Sequence, residues 1–562
     1  MCGLAGWATT SAAPDVRALG AMVEALSHRN EGDNVCAVLD RQPRRSMVLA
    51  ASLSDPAIGL SAALDGAILN AADLRAQLAK RGHSFRGKSD VELLLRAYQH
   101  WDKEVVKHLR GAFALALWDA NKERLMLARD RFGQKPLYLH QAGAALSFAS
   151  EVKALVRAPG VKAEVDVEAV GEYLAQRYVR GPRTLVAGVR KLSPGSYALW
   201  QFGSLRETRY WSPPDGEASS DKPSPEKPID GFIERLDEAV QLHMDSAQPV
   251  GALLSGGYDS AAIVALMKRH SQHVATFSAG FADDKHSELA KAARIAKHFG
   301  TQHHEIVLER REVLANLREL VASRDAPFSR PADVALHLLA RQASREVKVA
   351  LSGDGGDEIL GGYRRHTFLR GLAPGMKKVN GLFVIPVADP KEPAAQGRSS
   401  ALRRILYYEQ VGWLADNLLE RSDRMTAAAS LELRAPFLDH RVAEYVSSLP
   451  DAARVRGWST KWILRKADER LIAEAGINAG VKPAKAGFRI GLADLMRGEM
   501  RELVADHLRG PGCLTRAYYD GAILDRMLDE HFAVRRNHEE MLWTLLNLEI
   551  WHRILSAQSP RA

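Results

Sequence analysis

Three cysteines in 562 residues are too few for a disulfide framework, and Cys2, Cys36 and Cys513 lack the paired spacing of a metal-binding knuckle. Such scarcity suits a reducing compartment, so the cytoplasm is the expected location. No apolar run reaches the ~20 residues that span a bilayer, and no basic segment followed by an apolar one opens the chain. Neither a membrane anchor nor a secretory leader is therefore expected. Aromatic residues make up only 7%, and the net charge of +9 is scattered in small clusters such as Arg364-Arg365 and Arg535-Arg536. Without a basic stripe interleaved with aromatics, nucleic acid is not the expected partner; a solvated surface or a pull on small anions accounts for the charge. The GxxxxGKS/T phosphate loop is missing, as is any internal repeat. The length alone calls for two or more domains.

What is present centres on residues 250–266, VGALLSGGYDSAAIVAL. An apolar run breaks at Ser255-Gly256-Gly257 and resumes with helical spacing at Ile263, Val264 and Leu266, which reads as strand, tight turn and helix. The glycines allow close backbone approach, and the new helix N-terminus with the Ser255 and Ser260 hydroxyls suits an anion. Asp259 is out of place there unless Mg²⁺ lies between it and a phosphate. A simple glycine turn would show the same hexapeptide. SGGYDS resembles the SGGxDS pyrophosphate loop of the ATP pyrophosphatases, which cleave ATP to AMP and pyrophosphate while adenylating a substrate.

The second half alternates strands and helices, predicting a parallel sheet with helices on both faces. Residues 274–278, VATFS, read as the next strand and resemble the family's TFSxGF segment, whose backbone holds adenine. Residues 347–363, VKVALSGDGGDEILGGY, join an apolar strand to a loop of glycines and acids, placed where open α/β sheets bind ligands. Asp357 there could share Mg²⁺ with Asp259. The segment closely resembles the LSGDGGDELFGGY of asparagine synthetases, and Asp354 speaks for that amidotransferase branch over the β-lactam synthetases, which carry Tyr. Residues 422–440, SDRMTAAASLELRAPFLDH, carry charges near helix spacing and resemble the family's acceptor-site lining; a salt-bridged surface helix would read alike. Residues 459–465, STKWILR, resemble its KxxLR motif, in which Lys461 would neutralise the reacting α-phosphate. KAGF at 485–488 and the apolar stretch 542–551 extend the resemblance.

The first half opens MCGLAGW. With Met1 removed, Cys2 would offer both a thiol and an α-amine of suitable basicity; a small buried cysteine in a first strand is the plainer alternative. The opening resembles the class II glutamine amidotransferases, in which Cys2 attacks the glutamine amide. LDGAILNAADLR (64–75), GKSDVE (87–92), LRGAFALALWD (109–119), ARDRFGQKPLY (128–138) and FASEVKAL (148–155) resemble further family segments, and turns near residues 119–122 and Gly143 suit stacked sheets. The resemblance implies glutamine binding at Asp65, Gly66 and Asp90. Three positions depart from it. The family's NGE, which offers an oxyanion an Asn amide, reads Asp65-Gly66-Ala67, and an ionised Asp accepts rather than donates. The arginine for the glutamine carboxylate has no clean match, Ser52 standing near its place with Arg44 or Arg45 as substitutes in a shifted register. HRGPD reads His28-Arg29-Asn30-Glu31-Gly32-Asp33.

Residues 212–228 are rich in Pro, Ser and charge and are expected to be a linker. The chain is thus expected to be α/β, with a glutaminase-like αββα domain of N-terminal-nucleophile type over 1–211 and an ATP-pyrophosphatase domain over 229–562. The resemblance implies catalytic roles for Cys2, Lys461 and Asp354. It implies ATP contacts at Leu253, Ser255, Gly256, Gly257, Asp259, Ser260, Phe277, Ser278, Ser352 and Gly353, and Mg²⁺ at Asp259 and Asp357. The implied activity is a glutamine-dependent asparagine synthetase-like amidotransferase that adenylates a carboxylate, aspartate by default. Its partners would be ATP, glutamine or ammonia and the acid, with no nucleic acid or membrane, and a homodimer as the assembly. Two alternatives stand: an amide synthetase with an eroded glutaminase that takes free ammonia or an amine, and a non-catalytic paralogue.

Overall fold

The computed structural model describes the chain apart from residues 1–2, 11–15, 30–35, 43–44, 52, 216–225, 282–287, 329, 370–399, 475–490 and 559–562. Its strands are β1 (Ala5–Thr9), β2 (Cys36–Gln42), β3 (Arg45–Ala51), β4 (Leu53–Asp55), β5 (Leu60–Gly66), β6 (Phe113–Asp119), β7 (Arg124–Arg129), β8 (Tyr138–Ala142), β9 (Ala145–Ala149), β10 (Val189–Lys191), β11 (Ser196–Gln201) and β12 (Ser204–Arg209) in the first half. The second half contributes β13 (Val250–Leu253), β14 (Ala275–Phe281), β15 (Gln302–Leu308), β16 (Val349–Leu351) and β17 (Glu432–Arg434).

The first twelve strands form two six-stranded sheets, ordered β10-β8-β9-β1-β3-β2 and β12-β11-β7-β6-β5-β4, with every described pairing antiparallel. β6 shows why they stack. Ala114, Ala116 and Trp118 point into the layer between the sheets with Leu4, Ala8 and Phe148, while Leu115 and Leu117 meet the helix Asp90–Trp101 on the other side. Both faces of the strand are buried, so it reads as a continuous apolar run without polar alternation. The expected turns fall at residues 120–123 and at Gly143, which takes a positive φ of 57°.

In the second half β15-β14-β13-β16-β17 form one parallel sheet. Helices cover both faces: Ile263, Leu266 and Ile295 pack on one side, and Ala340 and Ala343 close over Phe277 on the other. The helix Glu226–Met244 starts inside the segment expected to be linker, with Pro228 tolerated in its first turn. The charged run 422–440 departs from its helical spacing. Helix Glu420–Ala427 is buried and gives way to edge strand β17, because the Ser352 amide donates to the Arg434 carbonyl and the Arg434 guanidinium to the carbonyls of His243 and Asp245. An unexpected π-helix spans Glu409–Leu419. The apolar stretch 542–551 is interior to the helix Glu539–Gln558. Among the described residues no helix is long and apolar enough to cross a membrane.

Candidate active sites at the glycine loops and the domain seam

β13 ends at Leu253 and the helix Tyr258–His270 begins three residues after Ser255, so Ser255-Gly256-Gly257 forms the turn and Tyr258-Asp259-Ser260 opens the helix. Gly256 takes a φ of +78°, open to glycine with little strain. Ser260 Oγ donates to the Gly257 carbonyl (3.2 Å) and accepts from the Ser255 amide (3.2 Å), which fixes the loop from inside. SGDGGDE follows β16 in the adjacent position and is pressed against it. A Cβ on Gly353 would stand 2.5 Å from Asp259 Cβ, one on Gly356 2.2 Å from Asp259 Oδ1, and one on Gly362 1.8 Å from Asp357 Oδ1. Gly353 and Gly356 are therefore required by contact between the two loops, and Gly362 by the fold of the second loop back on its own Asp357.

Lys461 closes the pair. Its Nζ lies 2.6 Å from both Asp259 oxygens and 2.7 Å from Asp357 Oδ1. Burial would lower its pKa, but the two carboxylates outweigh that and hold the ammonium charged above the ordinary lysine value. Its backbone sits in the left-handed region at φ 51°, uncommon for a non-glycine residue and typical of functional positions held by their surroundings. Asp259 and Asp357 thus share one cation, the Lys461 ammonium, and paired carboxylates are the kind of oxygen donors a hard divalent ion takes. Behind them Asp468 is buried; desolvation, then the Asp259 charge, raises it well above the carboxylate range. Phe277 and Ser278 lie on neighbouring β14, where the Leu254 amide donates to the Phe277 carbonyl (2.8 Å) and Ser278 Oγ to the Leu254 carbonyl. Ser352 and Gly353 open the second loop, and Asp354 beside them accepts from Ser422 Oγ at 2.8 Å. All predicted ATP and metal residues are thus gathered at the carboxyl end of one sheet.

The first half holds a second set. Asp90, at the start of helix Asp90–Trp101, accepts the Ile68 amide at 2.9 Å, joining the GKSDVE and LDGAIL segments. Burial raises its pKa, and the Ile68 amide opposes the rise. Gly66 has φ +109°, and any Cβ there would meet the Ala112 carbonyl at 2.1 Å. Asp65 is fully buried, with Oδ2 accepting from Arg29 Nη1 (3.0 Å) and Ser150 Oγ (3.2 Å), and Oδ1 without a hydrogen-bond partner among the described residues. Cys2, Arg44, Ser52 and the KAGF segment lie outside the described residues, as does the side chain of Arg45.

Arg29 is the residue that motif reading missed. It also donates to Glu151 Oε1 (2.5 Å) and to Asp423, which belongs to the other half of the chain. Lys135 reaches the same Asp423 at 3.0 Å, Arg424 reaches Glu151 at 2.6 Å, and Lys153 pairs with Glu151 at 2.7 Å. Tyr138 donates to Glu420 (2.7 Å), which Lys191 also reaches at 3.0 Å, and Arg110 pairs with Asp439 at 2.5 Å. The seam between the halves is therefore a buried lattice of opposite charges. Desolvation pushes Glu151 up, but Arg424, Lys153 and Arg29 together hold it well below the carboxylate range. Its signal in the sequence was the long-range coincidence of charges within otherwise apolar segments, which no local pattern reveals.

The family models for asparagine synthase and for the glutamine amidotransferase domain match residues 231–553 and 1–211. The chain belongs to the asparagine synthase family. Within it, the glutamine-hydrolysing asparagine synthetases 1 and 3 of Bacillus subtilis are each 30% identical; the alignments cover 87% and 84% of this chain and 85% of each relative. The amidase chry2 of Gibberella zeae is 24% identical, with 75% of this chain and 76% of that protein covered. Asparagine synthase family membership implies ATP use, consistent with the paired glycine loops.

Proposed function

We propose that this protein is an ATP-dependent, AMP- and pyrophosphate-forming amidotransferase, with a glutaminase domain over 1–211 and a synthetase domain over 229–562. The single observation that carries the reading is Lys461 Nζ held between Asp259 and Asp357 where the two glycine loops touch. The Ser255–Ser260 loop would cradle the pyrophosphate portion of ATP, and β14 with Ser352 and Gly353 would hold the adenosine end. Asp259 and Asp357 would hold Mg²⁺, which supplies charge neutralisation to the departing pyrophosphate when bound. A carboxylate oxygen of the acceptor attacks the α-phosphorus and pyrophosphate leaves. Lys461 stabilises the charge that grows there, a contact that strengthens in the transition state. Ammonia then attacks the acyl carbon, AMP departs, and Asp354 at the mouth of the loop takes the proton that the new amide sheds. Aspartate is the acceptor proposed, with ammonia released from glutamine by Cys2.

Asp65 favours a second reading for the glutaminase half. Its carboxylate stands where the family presents an amide donor, so glutamine use should be weak and ammonia the better nitrogen source. The rest of the proposal is a homodimer working in the cytoplasm; a monomeric mass by light scattering would remove the dimer.

The test is acceptor-dependent ATP–pyrophosphate exchange with Mg²⁺, run with aspartate and a panel of other carboxylic acids. Asp259→Asn should abolish exchange while the protein stays folded. Undiminished exchange in that variant, or no exchange with any acid in the unaltered protein, overturns the reading.

A further inference from the structure

A cavity of about 480 Å³ lies on the seam, sharing no lining residue with either candidate reaction site, and six cationic side chains line it against two carboxylates, Glu172 and Asp416. Several of these charges lack a counter-ion among the described residues. Arg129 is buried, and its guanidinium donates to three carbonyls, of Lys135, Leu192 and Gly133, at 2.8–2.9 Å. Among the described residues no carboxylate lies within ion-pair distance of it. Arg131 likewise donates to the carbonyls of Leu109 and Lys107, and its Nε is buried without a hydrogen-bond partner among the described residues. Arg209, at the exposed end of β12, reaches only the Tyr407 hydroxyl among the described residues, at 3.4 Å. Lys191, by contrast, is neutralised by Asp416 and Glu420. Three guanidinium groups with no ion-paired carboxylate among the described residues thus share one hollow. Burying a cation without an anion is unfavourable, and an arrangement of arginine forks around a polar cavity is what phosphate oxygens bind well. Trp211 and Pro213 add an apolar wall.

We infer that this cavity is a binding site for a small phosphate-chain anion, separate from the ATP loops. Arg209 supplies the exposed, movable contact, and Arg129 and Arg131 supply fixed positive charge. The shared chemistry is a run of two or three phosphates, free or attached to a nucleoside, and the apolar wall leaves room for the latter.

Inorganic tripolyphosphate and GTP serve as probes, titrated calorimetrically into the full-length protein and into Arg209→Glu, Arg209→Gln and Lys461→Ala. Arg209 is exposed, so its variants should fold, as circular dichroism will show. Saturable, salt-sensitive tripolyphosphate binding is expected in the unaltered protein and in Lys461→Ala. It should weaken about tenfold in Arg209→Gln and more in Arg209→Glu, since a charge-assisted phosphate contact is lost. GTP binding more tightly than tripolyphosphate would assign the apolar wall to a nucleoside, and the reverse order would assign the site to free polyphosphate. No saturable binding, or an isotherm unchanged by Arg209→Glu, overturns the inference.

Discussion

Asp65→Asn tests whether one oxygen separates this glutaminase half from an efficient one. The exchange turns a carboxylate into an amide at a fully buried position. The amide oxygen can take the place of Oδ2 and keep both incoming donors, Arg29 at 3.0 Å and Ser150 at 3.2 Å. The new NH₂ then falls where Oδ1 has no partner among the described residues. What is lost is a negative charge beside Arg29. Stripping a buried ion of its partner costs about 3–5 kcal/mol. Arg29 keeps Glu151 and Asp423, so the expected loss of stability is smaller, about 1–2 kcal/mol. Against that stands an oxyanion donor, worth about 10²–10³ in rate where it is well placed. Glutamine hydrolysis, followed as glutamate release, should rise about tenfold to a hundredfold, while ammonia-driven AMP formation stays level. A variant that melts lower and hydrolyses glutamine no faster would make Asp65 purely structural. Glutamine-driven synthesis as fast as ammonia-driven synthesis in the unaltered protein would refute the premise directly.

Cys2→Ala should eliminate glutamine-driven synthesis and spare the ammonia-driven reaction; glutamine hydrolysis that survives it would assign the nucleophile elsewhere. Lys461→Ala should lower kcat far more than it raises KM for ATP, and a pure rise in KM would reduce it to a binding residue. Gly356→Ala would drive a methyl to 2.2 Å from Asp259 Oδ1, so steady-state kinetics should show turnover falling steeply for a destabilisation of only about 1–3 kcal/mol. Glu420 is opposed by burial but pulled down to about 2 by Lys191, Arg324 and Arg424. Its folded pKa lies below its unfolded one, so its stabilisation is present above the ordinary glutamate range and disappears as pH falls toward about 2. Glu420→Gln should therefore be less stable than the unaltered protein in denaturant titrations at neutral pH, with the gap closing in acid.

Local chemistry made much of this molecule legible. SGGYDS and SGDGGDE announced strand-to-loop junctions because a serine followed by glycines and aspartate after an apolar run suits close backbone approach, and the two loops do meet. β6 was legible as an apolar run. Strand β17 was hidden: Glu432-Leu433-Arg434 has no strand signature of its own, and its state is set by pairing with β16. Arg29 was equally hidden. Its stretch could be seen to differ from the family pattern, but its partners lie 36, 122 and 394 residues away. Asp65 could be recognised as an odd acid, whereas its neutralising partner is a property of the assembled seam.

That seam also acts as a gauge. Two greasy surfaces can slide by an ångström and exchange one contact for another of equal worth. A lattice of buried ion pairs has no such freedom, because a shifted register leaves charges unmatched in a medium that cannot solvate them. Arg29, Lys135 and Arg424 therefore do for the two halves what dowel pins do for a machined joint. The placing of the Asp65 site relative to the loops after β13 and β16 is thereby set by matched charges rather than by apolar contact alone.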